Sequence, residues 1–385
     1  MHPISKAIRI QLGPTNEKEH SNPIFMTSSF CYDDAEQMRA VFADEIEQNM
    51  YSRFVNPNTK ELEQKMAALE GTEAAFATAT GMAAIFSCFM SLLKQGDTLL
   101  SCNSIFGSTH TVITKYLPKY GIGHKYVPAS ASAEDWEAAI DPAVKMIYLE
   151  TPTNPGLDIL DLEMIGKVAK KHGIIFVVDN AFATPLCQQP VQYGADLVVH
   201  SGTKWLDGQG RVLGGVVCGR KDLVHEVYLF VRSSGASLSP FNAWILSKSL
   251  ETLDVRMERH AANALYIAEQ LSDHPEIEWL KYPHLPSHPQ YAIAKKQMRN
   301  GGGLVSFNLK GGLDAGREFL DKLKMLSLTA NLGDTRSIAS HPASTTHAKL
   351  SDAERMKTGI TPGLIRVSVG LEHRDDILND ILQAL

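Results

Sequence analysis

The sequence predicts an α/β protein with a sheet of mainly parallel strands. Two short runs, residues 146–149 and 174–178, are apolar at every position, and an amphipathic segment at 164–172 lies between them and ends at Gly173. Strands that are apolar on both faces belong in a sheet that is covered on both sides. A helix that joins two such strands forms a right-handed βαβ crossover.

Composition excludes several classes of protein. Lys and Arg number 37 against 43 Asp and Glu, so the net charge is −6, and no basic block of the kind that binds nucleic acid is present. The five cysteines are odd in number and include no CxxC pair. This pattern argues against a disulfide scaffold or a zinc ribbon and predicts a reducing, cytoplasmic location. The N-terminal residues lack the pattern of a secretory signal peptide.

One stretch, residues 74–93, carries no charge and is nominally long enough to cross a bilayer. Its hydrophobicity comes largely from Ala, and hydroxyl residues and Gly81 lie within it, so membrane insertion would be weakly driven. We therefore predict that this stretch is buried in the protein and that the protein has no membrane partner.

The chain is predicted to divide into three parts. Residues 1–57 are punctuated by Pro and lack apolar periodicity, which predicts an irregular arm that is ordered only by packing against something else. Residues 58–242 form a central domain, and residues 243–385 form a smaller C-terminal domain. Two domains agree with the length of 385 residues, because a single core rarely grows beyond about 250–300 residues.

The remaining elements follow in order along the chain. A capping pattern at residues 58–61 predicts a helix that ends at Gly71, and an apolar helix is predicted from Met82 to residue 93. One long amphipathic helix is predicted from about residue 243 through Met257. Further strands are predicted at residues 197–199, 212–217, 304–307 and 364–367.

Polar residues that follow apolar runs mark candidate sites, because ligands bind at the carboxyl ends of parallel strands. Asp179 ends the run 174–178, and taken alone it is better explained as a helix N-cap. Lys204 follows the run 197–199 and stands beside Trp205. Burial would lower the pKa of Lys204 toward that of a reactive amine, although a paired structural lysine is the alternative.

Two loops complete the set of candidates. Gly81 stands where the chain changes from a short apolar run to a helix, so its backbone can approach a ligand closely and the helix N-terminus can bind an anion. Asn154 lies between two prolines after the run 146–149, where a plain turn is the alternative.

Taken together, these residues fit one cofactor, pyridoxal 5′-phosphate (PLP). This cofactor needs a lysine that bonds to it, a carboxylate that keeps its ring nitrogen protonated, and a helix N-terminus with hydroxyl groups for its phosphate. Lys204, Asp179 and the turn at Gly81 supply all three.

The same motifs resemble the Cys/Met-metabolism family of PLP-dependent enzymes, which have the aspartate-aminotransferase-like fold (fold type I). The similarity extends from residues 51–53, through 341–347, to 366–372. The family includes cystathionine γ-synthase, the cystathionine lyases, methionine γ-lyase and the homoserine-ester sulfhydrylases. The resemblance implies a large domain with a mixed seven-stranded sheet, a smaller C-terminal α/β domain, and a homotetramer that is a dimer of dimers with shared active sites.

The resemblance also implies roles for single residues. Lys204 would bond the cofactor and carry protons, Asp179 would pair with the ring nitrogen, and Asn154 would lie near the phenolic oxygen. The phosphate would be bound by residues of this chain and by two residues of a neighbouring subunit. The residues of this chain are Gly81, Met82, Ser201 and Thr203, and those of the neighbour are Tyr51 and Arg53.

Substrate contacts are implied in the same way. Arg366 would clamp the α-carboxylate of the substrate with its planar guanidinium, and Ser337 would help to position that carboxylate.

Positions that depart from the common family pattern bear on the reaction. Phe106 stands where many members have tyrosine, so its ring can stack on the cofactor but offers no hydroxyl for proton transfer. Ser108 stands where methionine γ-lyases have cysteine, and Arg336 stands where lyases and cystathionine synthases tend to have glutamate. A cation at position 336 would attract the distal carboxylate of a succinyl ester, unless its side chain simply faces water.

Within the family, residues 106–109, 333–336 and 359–364 are most similar to those of O-succinylhomoserine sulfhydrylases. This similarity implies γ-replacement on an O-acylhomoserine, with the succinyl ester favoured and sulfide or a thiol as donor, to give homocysteine for methionine biosynthesis. Cystathionine or methionine γ-lyase and cystathionine γ-synthase activities are the alternatives.

Three other possibilities find less support. His341 and His347 are six residues apart with no evident third ligand, so no metal site is predicted. Residues 208–214 have one residue too many for the dinucleotide fingerprint that a nicotinamide-dependent oxidoreductase requires. A catalytically silent protein of the same fold is the third possibility, and it would be colourless when purified.

Overall fold

The computed structural model describes residues 1–345, 348, 351, 355–356 and 359–385. The described helices are α1 (Pro3–Arg9), α2 (Ala35–Phe42), α3 (Pro57–Glu70), α4 (Gly81–Leu92), α5 (Gly107–Thr111), α6 (Ala133–Ala139), α7 (Leu162–His172), α8 (Thr184–Cys187), α9 (Lys221–Ser234), α10 (Pro240–Leu250), α11 (Leu253–Leu271), α12 (Tyr291–Gln297), α13 (Gly312–Lys322) and α14 (Arg374–Ala384). The described strands are β1 (Ala74–Thr78), β2 (Thr98–Cys102), β3 (Gly123–Val127), β4 (Val144–Glu150), β5 (Ile175–Asp179), β6 (Leu197–Ser201), β7 (Gly215–Gly219), β8 (Ile277–Lys281), β9 (Leu304–Leu309), β10 (Ser327–Leu328), β11 (Ile338–Ser340) and β12 (Leu364–Ser368).

Seven strands form a central sheet in the order β1-β7-β6-β5-β4-β2-β3. The neighbours among β2 to β6 pair in parallel, whereas β7 is antiparallel to both β1 and β6. Helix α7 joins the parallel neighbours β4 and β5, as the sequence predicted. The α/β class and the mixed seven-stranded sheet are thereby confirmed.

Both faces of the central sheet are covered by apolar side chains. Leu149 and Val178 belong to the core cluster that also holds residues of α3, α7 and α10. Tyr148, Val177 and Val199 belong to a second cluster, which also holds residues of α4 and α9. Because successive residues of a strand point to opposite faces, this alternation decides which side chains of β4, β5 and β6 can reach a common site.

A second sheet has the order β10-β11-β12-β9-β8. Its strands β8, β9, β11 and β12 form antiparallel pairs, and residues of α11, α13 and α14 join them in a separate apolar core. The predicted strands 304–307 and 364–367 correspond to β9 and β12. This smaller α/β unit confirms the predicted architecture, while the predicted boundaries of the parts stay predictions.

The arm is more ordered than the sequence suggested, since it contains the short helices α1 and α2. It also packs on its own chain. The Leu12 amide donates to Glu61 Oε2 (3.1 Å), and Trp244 Nε1 donates to the Asn22 carbonyl oxygen (2.8 Å). Part of the arm is therefore held by α3 and α10 without a neighbouring subunit.

Two helix predictions were wrong in detail. Helix α3 begins earlier than the capping pattern implied, because Asn56 is its N-cap and forms the capping box with Thr59. Gly71 ends this helix in the left-handed conformation (φ 73°), as expected. The long helix predicted beyond residue 243 is two helices, α10 and α11, and the backbone breaks between Leu250 and Leu253. Apolar residues on both sides of the break face the same core, so the apolar pattern continues across it and suggested one helix.

One strand prediction was also too long. Strand β7 begins at Gly215, and the preceding residues are not part of the sheet. Gly214 instead bonds the segment after β6, because its carbonyl accepts from the Gly202 amide at 2.8 Å. None of the described helices is long and apolar enough to cross a membrane, and residues 74–93 form β1 and α4.

Candidate active site

A cavity of about 420 Å³ opens where β4, β5 and β6 end. Its polar lining residues come from strand ends, helix starts and loops that are far apart in the sequence. They are Thr80, Glu150, Asn154, Asp179, Ser201, Thr203, Lys204, Ser340 and Arg366. Gly81, Met82 and Phe106 line the same cavity, so most of the residues singled out in the sequence lie together in the structure.

The turn at Gly81 forms one end of the cavity. Thr80 is the N-cap of α4, and its hydroxyl accepts from the Ala83 amide at 3.0 Å. A Cβ at Gly81 would lie 2.8 Å from Ser201 Cβ and 3.0 Å from Ser201 Oγ. Only glycine therefore lets the start of α4 lie this close to the end of β6, and together they bring helix amides and a hydroxyl to one point, as an anion site requires.

Lys204 lies in the turn Gly202–Leu206 that directly follows β6. Its Nζ donates a hydrogen bond to Asn331 Oδ1 at 2.7 Å. Burial, together with the nearby positive charge of Arg366, lowers the pKa of Lys204 to about 8. A substantial fraction of this amine is therefore neutral near physiological pH, as a nucleophilic lysine requires.

Asp179 and Glu150 stand side by side, because the register of β4 and β5 pairs them directly. Asp179 Oδ1 accepts from the Ala181 amide (3.0 Å), and Asp179 Oδ2 accepts from the Tyr148 hydroxyl (3.1 Å). Burial raises the pKa of Asp179, and burial together with the charge of Asp179 raises the pKa of Glu150 well above its ordinary value. Asp179 has the better stabilised charge, since both of its oxygens accept hydrogen bonds, whereas Glu150 Oε2 accepts from the Phe106 amide (3.0 Å) and Glu150 Oε1 is buried without a partner among the described residues.

Arg366 enters the cavity from β12, the strand at the centre of the smaller sheet. Its Nη1 donates to Asn154 Oδ1 (2.9 Å), and its Nη2 donates to the Asn331 carbonyl oxygen (3.2 Å). Nε of Arg366 is buried without a hydrogen-bond partner among the described residues. Burial lowers the pKa of Arg366 to about 10, so the guanidinium stays charged and can bind a carboxylate.

Four predicted site residues do not line this cavity. Tyr51 and Arg53 lie on the arm, where Arg53 stacks 5.4 Å from the Tyr51 ring centroid and donates to the Arg232 carbonyl oxygen. Their predicted contribution to the phosphate site of a neighbouring subunit is compatible with this position and stays a prediction.

Ser337 and Arg336 are the other two. The Ser337 hydroxyl donates to Glu372 Oε2 (2.9 Å) and accepts from the Gly370 amide (2.8 Å), so it is already occupied inside the smaller domain. Arg336 forms a bidentate ion pair with Asp334, at 2.9 Å from Nε to Oδ1 and from Nη2 to Oδ2, and its side chain is 67% exposed. Neither residue lines the cavity that Arg366 enters, and their predicted substrate contacts stay predictions.

Three residues in or beside the cavity were given no role from the sequence. Glu150 begins the candidate segment that holds Asn154, and it could have been assigned to the site because it ends an apolar strand as Asp179 does. Tyr148 lies inside a strand and Asn331 in a loop of the smaller domain, and neither position gave a sequence signal.

Metal binding finds no support among the residues that the structure describes, where no group of three or more His, Cys, Asp or Glu could hold an ion. His341 is buried and bonded to Ser344 and to the Pro362 carbonyl. His347 lies outside the described residues.

The residues present fit PLP. A lysine with a lowered pKa, a buried hydrogen-bonded carboxylate, and a cradle that a Cβ at Gly81 would fill surround one cavity. Its volume also lies within the range of small-molecule sites, about 300–1,000 Å³.

Residues 6–385 match the sequence model of the family described as Cys/Met metabolism PLP-dependent enzymes. The chain belongs to this family. It is therefore an enzyme of this family, and the family's cofactor is PLP.

Individual relatives within the Cys/Met-metabolism family are similar over almost the whole chain. An O-succinylhomoserine sulfhydrylase of Pseudomonas aeruginosa is 46% identical over 379 residues, which are 98% of this chain and 94% of the relative. An L-methionine gamma-lyase of Pseudomonas putida is 43% identical over 365 residues, 94% of this chain and 92% of the relative.

Solved structures agree with this assignment. A crystal structure of an O-acetylhomoserine (thiol)-lyase from Campylobacter jejuni has a TM-score of 0.95 at 35% identity and covers 100% of this chain and 99% of its own. That protein carries N'-pyridoxyl-lysine-5'-monophosphate at position 205 of its own chain.

Proposed function

We propose that this enzyme replaces the γ-substituent of an O-acylhomoserine, with the succinyl ester favoured, by sulfide or a thiol, and so forms homocysteine when sulfide is the donor. The observation that supports this proposal most directly is that one cavity is lined by Lys204, Asp179, Arg366 and the Gly81 cradle. The similarity to the O-succinylhomoserine sulfhydrylase of Pseudomonas aeruginosa supports the choice of substrate.

PLP, when bound, supplies the electron sink that stabilises negative charge on the substrate carbons. The residues of this chain would hold it at four points. The amides at the start of α4, with Ser201 and Thr203, bind its phosphate. Asp179 would bond its ring nitrogen, Asn154 would lie beside its phenolic oxygen, and Lys204 would form the covalent link.

Arg366 holds the α-carboxylate of the substrate. Its planar guanidinium is pre-oriented by Asn154 and by the Asn331 carbonyl oxygen, and it keeps its charge although it is buried. A carboxylate that binds there would bring the substrate near Lys204, because Asn331 contacts both side chains and both line one cavity.

Lys204 moves the protons. Phe106 offers an aromatic face to the cavity but no hydroxyl, so the amine of Lys204 would have to pass the Cα proton to the cofactor before it takes the proton from Cβ. The acyl group then leaves from Cγ as a carboxylate, hydrosulfide adds at the same carbon, and Lys204 returns one proton to Cβ and one to Cα. Asn331 Oδ1 keeps the amine within the cavity while it is free.

The test uses purified PLP-loaded enzyme with O-succinylhomoserine and sulfide, and follows homocysteine. We expect turnover with both present and none when the ester is left out. If homocysteine does not form while cystathionine or methionine is readily cleaved, the proposed reaction is wrong.

Methionine γ-lyase activity is the second candidate, supported by 43% identity to the enzyme of Pseudomonas putida. Ser108 argues against this activity, because methionine γ-lyases typically have cysteine at that position. A parallel assay of methanethiol release from methionine separates the two activities, and we expect it to be much the slower.

A homotetramer and a cytoplasmic location belong to the same proposal. The tetramer is supported by the placement of Tyr51 and Arg53 outside their own chain's cavity. The location is supported by the cysteines, since Cys88, Cys102, Cys187 and Cys218 are buried as free thiols and Cys31 is an exposed free thiol. Sedimentation of the loaded enzyme tests the assembly.

A further inference from the structure

We infer that Tyr148 is a positioning residue for the ring-nitrogen site: its buried hydroxyl orients Asp179 and keeps that carboxylate charged toward the cofactor. This inference rests on the role of Asp179 in the proposed function. Tyr148 itself does not line the cavity, so it would act through Asp179 and not by contact with the ring.

The hydrogen bond is set by the sheet. Tyr148 and Asp179 lie on neighbouring parallel strands, and the register pairs Tyr148 with Val177 and Glu150 with Asp179. Tyr148 and Asp179 therefore point to the same face, two positions apart in register. The tyrosine side chain spans that offset, and its hydroxyl donates to Asp179 Oδ2 at 3.1 Å.

The packing around Tyr148 restricts its side chain to this position. Its side chain is fully buried, and the Phe89 ring packs edge-on against it with centroids 5.2 Å apart at 84°. Burial and the nearby charge of Asp179 raise the pKa of Tyr148 far above its ordinary value, so the hydroxyl stays a proton donor. A buried hydroxyl needs a partner, and Asp179 provides the acceptor.

Asp179 gains both orientation and charge from this contact. Its Oδ1 already accepts from the Ala181 amide, so the Tyr148 hydroxyl supplies the donor for the other oxygen. With one donor on each oxygen, the carboxylate plane is fixed while lone pairs remain free to face the cavity. The hydroxyl also lowers the pKa of Asp179, which opposes the effect of burial.

The contact continues toward the phosphate end of the cavity. Thr109 of α5 interacts with the Tyr148 hydroxyl, and Thr109 Oγ1 lies 3.8 Å from Met82 Sδ. Met82 is the second residue of α4, whose N-terminus forms the anion cradle. Tyr148, Thr109 and Met82 thus form a row of side chains between the two ends of the predicted cofactor site.

Tyr148→Phe removes the hydroxyl and keeps the ring. The matched control is Tyr282→Phe, because Tyr282 is also buried and its hydroxyl donates to the Ala261 and Gly302 carbonyl oxygens in the smaller domain, away from Asp179. The readouts are the dissociation constant of PLP and the nitrogen-15 resonance of a ring-labelled cofactor in the loaded enzyme, with kcat and KM measured alongside.

We expect Tyr148→Phe to weaken PLP binding roughly five- to tenfold, to move the ring-nitrogen resonance toward that of the unprotonated ring, and to lower kcat more than it changes KM. Tyr282→Phe should leave the resonance unchanged. An unchanged resonance and PLP affinity in Tyr148→Phe, or an equal change in both variants, would overturn the inference.

A further variant separates failure of the proposed function from failure of this inference. Asp179→Asn tests the proposed function by the same resonance, and if the resonance does not change, the role of Asp179 is wrong. If Asp179→Asn changes the resonance but Tyr148→Phe does not, only the inference about Tyr148 is wrong. If Tyr148→Phe does not fold, 3-fluorotyrosine at position 148 retains the hydroxyl and makes it more acidic. It should then move the resonance further toward the protonated ring, and no movement would count against Tyr148.

Discussion

Lys204 Nζ lies 2.7 Å from Asn331 Oδ1, so the predicted proton carrier on the large sheet is tethered by a loop of the smaller domain. The same asparagine accepts from Arg366 Nη2 through its carbonyl oxygen at 3.2 Å. One residue therefore fixes the distance between the amine and the guanidinium that is to hold the substrate. Asn331 lies in the loop between β10 and β11, so its distance from Lys204 depends on how the two sheets pack.

Asn331→Ala should lower kcat by roughly tenfold and leave KM within a few-fold. The free amine of Lys204 loses the acceptor that holds it in place, and a hydrogen bond of a neutral group is worth about 0.5–1.5 kcal/mol, whereas Arg366 keeps its bond to the main-chain oxygen. Steady-state kinetics on O-succinylhomoserine and sulfide measure both constants. A rise in KM alone would show that Asn331 serves the substrate and not Lys204.

The pH dependence of kcat offers a second test of this contact. Lys204 must be neutral to accept a proton, so activity should rise with pH through the pKa of about 8. Asn331→Asp places a carboxylate beside the amine, stabilises its charged form and raises its pKa, so the rise should move to higher pH. An acidic limb at the same pH in both proteins would mean that Lys204 does not control it.

Gly81→Ala should weaken PLP binding at least tenfold. The added Cβ would lie 2.8 Å from Ser201 Cβ, so α4 and the end of β6 have to separate, which opens the anion cradle and costs about 1–3 kcal/mol. Gly13→Ala is the control, because nothing lies within 4 Å of a Cβ at that position. Fluorescence titration with PLP compares the two, and equal affinities would remove the cradle from the phosphate site.

Arg366→Lys should raise KM for the ester by more than tenfold while PLP affinity changes little. Lysine keeps the positive charge but cannot make two parallel hydrogen bonds to a carboxylate or hold Asn154 in the same way. Arg39→Lys, in an exposed ion pair with Glu36 and Glu45, is the matched control and should behave as the unaltered enzyme. An unchanged KM in Arg366→Lys would place the α-carboxylate elsewhere.

Arg336→Ala should reduce kcat/KM for the succinyl ester by less than about fivefold and leave the acetyl ester unaffected. Asp334 neutralises the guanidinium at 2.9 Å and the side chain is 67% exposed, so any attraction for a distal carboxylate is weakened and screened. A steady-state panel with both esters measures the ratio. Equal losses on both would remove Arg336 from substrate choice.

Most residues of the site could be recognised in the sequence because they lie at the ends of predicted strands. Asp179, Lys204 and Asn154 each follow an apolar run, and parallel strands bring such positions to one edge of the sheet, so their assembly could be predicted without coordinates. Ser337, which was assigned from the family resemblance and not from a strand end, does not line the cavity. Its hydroxyl is taken up by Glu372, a partner 35 residues away, and no local pattern reports that contact.

The amino-acid order alone determined the alternation of strands and helices and the chemical types at the strand ends, because both follow from local periodicity and from the two-sided burial of parallel strands. Only the packing of the two sheets decided that Asn331 and Arg366 meet Lys204, and only the register of β4 against β5 placed Tyr148 and Glu150 beside Asp179. Such contacts join residues from about 30 to more than 120 positions apart, and their free energy appears only when the chain is folded.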